Sequence, residues 1–449
     1  MKLSGIPLDP GKGLDKLEPI IGGGETEQVG FKMLASMIEQ IIGYHSEGHV
    51  SPGNTVWMDI DLRTARDFGG ANVIKNLNEN YPGEGVNDPE KTFFTFDTVV
   101  PAKTIPYAEN QHIIRRYARE NGLRVFDVNM GIGSHVVIEE GLAHPGVTMA
   151  GTDSHLNILG SIGGFGQGMG DRDIAFIFRT GKTWFDVPES MKVTVEGKMP
   201  SRCTPRDLTL KAVGEIGSKG GLGKSMEFVG KEIDGLPLYG RITLASMATE
   251  MGAICAQIEP NQEILETFRR KGFRDNSLVP RHDEGYPFVE ERDFDVSDLA
   301  PQISRPGKPS NVVDVDTVAG RRVDSVFIGS CTNGSYEDIK SVRDLTKGRD
   351  VAEWVMAKIV PATRRVWGRL LEEGIMADLH ESGFIISNSG CGGCASGQIG
   401  MTGTGEVQIS TSNRNFVGKQ GKGETYLASP ETAAASAVIG HITTAEEMG

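Results

Sequence analysis

Residues 326–333, VFIGSCTN, lead from a short apolar run into Cys331. Sixty residues further on, residues 384–394, FIISNSGCGGC, lead from a second apolar run into Cys391 and Cys394. Such runs are typical of β-strands, so the three thiols are predicted on loops at strand ends, where they can converge on one point. A structural zinc site takes four N or S ligands, and iron–sulfur clusters ordinarily have four cysteines. Three thiolates therefore leave one metal position open for water or substrate.

A bare CxxC pair is equally typical of a redox motif, with Cys331 then an unrelated buried cysteine. The surrounding glycines favour the metal site, because glycine lets the backbone approach a bulky group without side-chain collisions. They are Gly329, Gly334, Gly390, Gly392 and Gly393. The other two cysteines, Cys203 and Cys255, belong to no motif and are interpreted as ordinary buried thiols.

The composition predicts a soluble, cytoplasmic protein of 449 residues with a net charge of −14. No signal-peptide pattern opens the chain, and no run of about 18 apolar residues is present. The negative charge argues against nucleic acid as a partner and gives no reason to expect a membrane. An anionic substrate would need local cations to overcome that charge.

Alternating patterns predict an α/β fold. Residues 26–42 have helical spacing with Thr26 as the N-cap, and 107–121 form a second predicted helix. Strands are predicted at 93–96 and 125–128, and the Pro- and Asp-rich stretch 296–312 is a predicted linker. Polar residues follow strands repeatedly, and ligands bind outside the carboxyl ends of strands in open α/β sheets. We therefore expect Asp97, Asp153, Cys331, Cys391 and Arg414 to line one crevice.

The combined motifs resemble the large subunit of the aconitase family, which contains aconitase, homoaconitase and 3-isopropylmalate dehydratase. The resembling segments are 151–155, 328–338, 390–394, 410–416 and 426–434. The likeness extends over nearly everything after about residue 26.

The resemblance implies three α/β/α domains packed around a 4Fe–4S cluster, without the family's small swivel domain. The expected boundaries are 1–25 for an N-terminal extension, 26–195 for domain 1, 196–295 for domain 2, 296–312 for the linker and 313–449 for domain 3. Cys331, Cys391 and Cys394 would hold the cluster, and its fourth iron would bind substrate oxygens. The implied chemistry is a hydro-lyase reaction, in which the iron acts as a Lewis acid.

The resemblance also assigns residue roles. His135 and Glu250 resemble a histidine with its orienting glutamate, and Asp153 with His155 resembles a second such pair. Asp97 resembles a catalytic acid. Arg414 resembles the clamp for a substrate carboxylate, and Ser154, Asn413 and Lys419 are further expected substrate-binding residues.

Three positions depart from the family pattern. Thr98 stands where a histidine usually follows Asp97, and a hydroxyl cannot shuttle protons near neutral pH as imidazole does. Ser246 stands where asparagine is frequent. Lys419 stands where arginine is usual, and lysine lacks the bidentate fork for a carboxylate.

The family's catalytic serine lies on the swivel domain, which in isopropylmalate and homoaconitate enzymes is a separate small subunit. A heteromeric partner is therefore expected. The first hypothesis is a hydro-lyase of a 2-hydroxy di- or tricarboxylate, 3-isopropylmalate dehydratase-like, with a homoaconitase-type enzyme as an alternative. The second is a hydratase of a smaller diacid such as maleate, citraconate or dimethylmalate, and the third is a catalytically silent iron–sulfur sensor.

Overall fold

The computed structural model describes residues 34–274, 277–394 and 398–448. The predicted extension 1–25 and the predicted cap Thr26 lie outside these residues. The strands of the described part are β1 (Thr55–Asp59), β2 (Leu62–Arg66), β3 (Thr92–Thr95), β4 (Arg124–Phe126), β5 (Thr148–Gly151), β6 (Phe165–Gly168), β7 (Lys182–Asp186), β8 (Glu189–Glu196), β9 (Lys224–Val229), β10 (Cys255–Ile258), β11 (Glu290–Asp295), β12 (Gln302–Ser304), β13 (Val312–Asp314), β14 (Ser325–Ile328), β15 (Met356–Ile359), β16 (Ile385–Ile386), β17 (Val407–Ser410) and β18 (Glu424–Ala428).

Helices connect most of these strands. They are α1 (Met37–Tyr44), α2 (Gly70–Asn80), α3 (Ile105–Asn121), α4 (Gly133–Glu139), α5 (Asp171–Thr180), α6 (Pro205–Ile216), α7 (Lys231–Asp234), α8 (Leu238–Ser246), α9 (Gln262–Arg269), α10 (Ser330–Asn333), α11 (Tyr336–Thr346), α12 (Arg364–Glu372), α13 (Ile375–Glu381) and α14 (Pro430–Ile439). Within the described ranges, no helix is long and apolar enough to cross a membrane.

Three larger sheets organise the chain, and all are wholly or mostly parallel. The first has five parallel strands in the order β4-β3-β2-β5-β6, and the second has four in the order β10-β9-β8-β11. The third has seven strands in the order β13-β12-β18-β17-β14-β15-β16, of which β12 and β13 pair antiparallel. Parallel pairing requires crossover helices, which cover the sheet faces. The predicted α/β class is confirmed.

Burial explains why short apolar runs became strands. All four residues of β3, β5 and β14 are buried, as expected for strands covered on both faces. Phe94 of β3 packs in one apolar cluster with Ile114 of α3 and Phe178 of α5. A second cluster joins Ile328 of β14 to Ile409 of β17.

The first helix begins later than predicted. Residues 34–36 are not helical, and α1 begins at Met37 with Ser36 as its N-cap. The Ser36 side chain accepts from the Glu39 backbone N–H, and Glu39 bonds back to the Ser36 backbone N–H. This capping box satisfies two backbone donors, which fixes the helix start. The predicted start of a helix over 26–42 is therefore wrong for residues 34–36.

The stretch predicted as a linker contains a sheet strand. Within 296–312, β12 pairs with β13 and β18, and its Ile303 is fully buried. Asp207 of α6 accepts a hydrogen bond from the Gln302 backbone N–H at 2.8 Å. The prolines of this stretch lie in the turns beside a strand that belongs to the third sheet.

A buried lysine supports the loop that follows the CxxC motif. Lys358 of β15 is 1% exposed, and its Nζ donates to Gly400 O at 3.0 Å and Gln408 Oε1 at 3.1 Å. Burial lowers the pKa of Lys358 from 10.5 to about 8, against the attraction of Glu406. The folded protein thus releases this proton at lower pH than the unfolded chain does.

The lowered pKa of Lys358 should make the free energy of unfolding depend on pH. Between pH 8 and pH 10.5 the unfolded chain binds the Lys358 proton and the folded protein does not, so stability from this group rises with pH. The unmodified protein should gain about 3 kcal/mol relative to Lys358→Met over that range, measured by urea unfolding at several pH values. Lys340→Met, at an exposed helical position, is the control. A Lys358→Met difference that does not change with pH would contradict the assignment.

Candidate active site

Strand ends from the first and third sheets border one cavity with a volume of about 450 Å³. Its lining residues are Arg66, Phe68, Thr98, Tyr107, Thr152, Asp153, Ser154, His155, Ser330, Cys331, Cys391, Cys394, Arg414 and Lys419. The predicted convergence of all three motif cysteines with Asp153, His155 and Arg414 is observed. Asp97, Glu250 and Asn413 stand directly behind this lining and bond to it.

The three thiols lie in two short segments, each of which follows a strand of the third sheet. Cys331 lies in α10 directly after β14, and its Sγ–H donates to Asn413 Oδ1 at 3.3 Å. The Cys391 backbone N–H donates to Asp97 O at 2.9 Å, which joins the third sheet to the first. Gly392 has φ +60°, and a Cβ there would stand 2.7 Å from the Phe327 ring. Glycine is therefore required here by the Phe327 ring and by the positive φ.

The cysteines of the cavity are available to bind a metal-containing group. All five cysteines are free. In the described part of the chain, no three His, Cys, Asp or Glu side chains are arranged around a single metal ion. A cluster with several irons does not need such an arrangement, because each thiolate binds its own iron. Three free thiols around one cavity therefore fit a cluster.

Arg66 is a central site residue that the sequence analysis missed. Its Nε donates to Asp97 Oδ1 at 2.6 Å, its Nη1 to Asp153 Oδ1 at 3.0 Å and its Nη2 to Cys391 Sγ at 2.7 Å. Burial lowers the pKa of Arg66, but these three groups outweigh burial and hold it well above its usual value. The available signal was its position at the end of β2, but β2 lacks the apolar run by which the other strands were recognised.

Asp97 is fully buried between that arginine and a helix start. Its Oδ2 accepts from the Gly133 backbone N–H at 2.8 Å, at the N-terminus of α4. Burial raises the pKa of Asp97 to about 6, Arg66 opposes this rise, and Asp67 and Asp153 add to it. Thr98 contributes little, since its Oγ1 lies 3.4 Å from Asp97 Oδ1.

The histidine and carboxylate pairing differs from the prediction. His155 Nε2 lies 3.4 Å from Glu250 Oε1, and Arg414 Nε donates to the same oxygen at 2.6 Å. Asp153 Oδ1 lies 4.0 Å from His155 Nδ1 and accepts from the His155 backbone N–H at 3.0 Å. Burial raises the pKa of Glu250, but His155 and Arg414 outweigh it and leave that pKa below its ordinary value.

His135 makes no hydrogen bond to Glu250 among the described residues, where Glu250 contacts His155 and Arg414. His135 is 7% exposed, and its Nδ1 has no hydrogen-bond partner in the described part of the chain. Burial lowers the pKa of His135 to about 4, against the attraction of Asp153. The residue lines a neighbouring cavity of about 320 Å³ beside Ile242. Sequence alone could not assign these partners, because each pair joins separate elements.

The remaining expected substrate residues occupy distinct places. Ser154 is exposed at the cavity, and its Oγ lies 3.4 Å from His155 Nδ1. Asn413 is fully buried behind Cys331, and its Nδ2 lies 3.5 Å from Ser246 O. Lys419 lines the cavity and is half-buried, and no carboxylate of residues 34–274, 277–394 or 398–448 pairs with its ammonium.

The Glu250–Arg414 contact can be measured in the protein without any ligand. In a double-mutant cycle of Glu250→Gln and Arg414→Gln, we expect a coupling of about 1–3 kcal/mol in urea unfolding, because the pair is largely buried. The exposed pair Lys75 and Glu79, 3.9 Å apart, is the control and should give about 0.5 kcal/mol or less. A Glu250 coupling as small as that of the control would contradict the geometry.

Comparison with known proteins places the chain. The model of the aconitase family (aconitate hydratase) matches residues 39–321 and 316–440. The 3-isopropylmalate dehydratase large subunit 1 of Methanopyrus kandleri is 39% identical over 91% of this chain and 98% of its own length. The protein of the same name in Archaeoglobus fulgidus is 37% identical over 92% and 99%. The homoaconitase large subunit of Thermus thermophilus is 38% identical over 92% and 98%. The resemblance seen in the sequence is thereby confirmed: the chain belongs to the aconitase family of hydro-lyases.

Proposed function

We propose that this chain is the large subunit of a hydro-lyase that removes water from a 2-hydroxy di- or tricarboxylate and returns it. The first candidate substrate is of the 3-isopropylmalate type. The observation that carries the proposal is one cavity in which three thiols face an Asp–Arg–Asp network and a His–Glu–Arg chain. The names of the similar large subunits support the same reaction class.

The cofactor proposed for this cavity is a 4Fe–4S cluster held by Cys331, Cys391 and Cys394. When bound, it supplies a Lewis acid with one position open to substrate. The Cys391 loop is set by Asp97 and Arg66, through contacts that leave its sulfur able to bind iron. The Cys331 Sγ–H contact with Asn413 Oδ1 belongs to the free thiol and would be given up when that sulfur binds iron.

Two cations face a substrate carboxylate from the third sheet. The Nε of Arg414 donates to Glu250, and no acceptor in the described residues binds the two terminal nitrogens of Arg414. These nitrogens can form a bidentate contact with a carboxylate. Lys419 adds a point charge beside it. We assign both residues to substrate binding, with Ser154 as a hydroxyl donor and Asn413 as the residue that orients Cys331.

Proton transfer is assigned to groups on the first sheet. His155 is held by Glu250, which orients the imidazole for exchange with a substrate oxygen. Asp97 has a pKa of about 6, so it can carry a proton near neutral pH. Asp153 keeps a lowered pKa, because Arg66 and His155 outweigh its burial, and it serves as a fixed negative charge. Burial lowers the pKa of His135 to about 4, so this catalytic candidate is uncharged near neutral pH.

A small-subunit partner is part of the proposal. Asp97 and Asp153 offset the charge of Arg66, and Glu250 offsets that of Arg414. Among the lysines and arginines of the described lining, Lys419 alone has no paired carboxylate, which is too little net positive charge for a substrate with at least two negative charges. Further cations and the catalytic serine would come from the partner's swivel domain. Exposed apolar side chains suit such a contact: Phe68, which lines the cavity, is 66% exposed, and Val417, three residues after Arg414 in the sequence, is 75% exposed.

A smaller diacid is the second candidate substrate, because two of the three departures from the family pattern, Thr98 and Lys419, line the cavity. A homoaconitase-type substrate is equally compatible with the relatives. A silent sensor is disfavoured, since it would not require the buried contacts that hold His155 and Arg414 in the cavity.

Turnover should require both proteins. The chain with a reconstituted cluster is expected to be at least about 100-fold slower alone than with its small subunit added, because a missing base costs about that factor. The assay follows absorbance of the unsaturated acid, with isopropylmalate, homocitrate, citramalate and dimethylmalate as substrates. Full activity of this chain alone would contradict the partner proposal.

Removing one motif cysteine should remove the cluster. After anaerobic reconstitution, the unmodified protein should hold about four irons per chain. Mild oxidation should then give a three-iron EPR signal that disappears when iron is restored. Cys391→Ala should lose the cluster, whereas Cys255→Ala should keep it, because Cys255 is buried beside Ser225 outside the cavity. Zinc in place of iron, or no metal at all, would contradict the cofactor assignment.

A further inference from the structure

Arg66 joins three loops of the site through a single side chain. Its nitrogens bond to Asp97 after β3, to Asp153 after β5 and to Cys391 after β16. The side chain is 14% exposed, so these three contacts are its main surroundings. One of the acceptors is the sulfur of a proposed cluster ligand.

We propose that Arg66 is a positioning residue for the cluster: it fixes the Cys391 sulfur and places a permanent positive charge beside it. The proposal rests on the proposed function, because it requires Cys391 to bind the cluster. A charge-assisted hydrogen bond to a ligand sulfur stabilises the more negative, reduced state of a cluster and restricts the ligand.

Arg66 is also the residue that contacts the Asp97 carboxylate, which in the family pattern is followed by a histidine. Thr98 is too distant to be a strong partner, at 3.4 Å, whereas Arg66 Nε lies 2.6 Å from Asp97 Oδ1. A guanidinium does not release its proton near neutral pH. The group beside Asp97 is therefore a fixed charge rather than a proton carrier.

A lysine could not replace this arrangement. The planar guanidinium sends separate N–H groups in three directions, whereas an ammonium is a compact point charge on a flexible stem. The contacts on Asp97, Asp153 and Cys391 need those three directions at once. Charge and geometry can thus be separated by comparing Arg66→Lys with Arg66→Gln.

The experiment uses the full chain with its cluster reconstituted anaerobically. Two quantities are measured: the reduction potential by EPR-monitored titration, and the rate of cluster loss to a chelator by absorbance. For R66Q we expect a lower potential and cluster loss at least about threefold faster, because both charge and hydrogen bond are gone. For R66K we expect a potential close to that of the unmodified protein and the same faster loss.

Controls separate this role from general stability. R115Q removes an arginine of α3 whose Nε donates to Asp127 at 2.6 Å and which does not line the cavity. This variant should change neither the reduction potential nor the rate of cluster loss. R66Q/D97N restores the charge balance that R66Q disturbs and should lose its cluster as fast as R66Q. It is the variant to use where R66Q alone does not fold.

The outcomes are distinct. Unchanged potential and release rate in R66Q or R66Q/D97N, or release from R66K at the unmodified rate, overturns the role of Arg66 while leaving the cluster assignment intact. An unmodified protein that takes up no cluster overturns the proposed function, and this proposal with it.

Discussion

The site depends on one buried cation held between carboxylates. Burying the carboxylates of Asp97 and Asp153 costs several kcal/mol each in lost hydration, unless a cation and hydrogen bonds offset that cost. Arg66 supplies the cation to both, and Gly133 supplies a backbone donor to Asp97. The pKa of Asp97 nevertheless remains above its ordinary value, because burial outweighs the arginine. The favourable contacts therefore offset the cost of burial only in part at Asp97 and more fully at Asp153. The two neighbouring carboxylates consequently have different proton affinities.

That network is possible because strands of two sheets end at the same place. The carboxyl ends of β2, β3 and β5 carry Arg66, Asp97 and Asp153, and those of β14, β16 and β17 lead to the cysteine loops and Arg414. The backbone bond from Cys391 N–H to Asp97 O joins the two groups of loops. A second carboxylate, Asp67, accepts three backbone N–H groups from residues 97–99 and stiffens the loop on which the joint depends. The position of the thiols is therefore decided by the first sheet as much as by the third.

The sequence predicted which residues would meet, but not how they would pair. Strand-end placement was enough to expect the cysteines, Asp153, His155 and Arg414 in one cavity, because parallel strands share an edge. Pairing was not predictable, since Glu250 and His155 lie on separate elements whose approach depends on packing of whole sheets. Arg66 was missed because a strand that contains two arginines and a threonine gives no apolar run. The start of α1 was missed because the deciding signal, the capping box at Ser36, was outweighed by helical spacing further upstream.

The distribution of charged side chains in the cavity bears on how substrate preference could differ among similar large subunits. Isopropylmalate and homoaconitate large subunits are 39% and 38% identical to this chain over nearly the same length. In the described residues, internal carboxylates offset the charges of the cavity cations Arg66 and Arg414, and no carboxylate offsets the charge of Lys419. A chain of net charge −14 does not attract a polyanionic substrate at long range. If the remaining cations stand on a second protein, as we propose, then the large subunit fixes the bond to be broken and the partner selects the substrate's far end. Substrate preference can then change with little change in this chain.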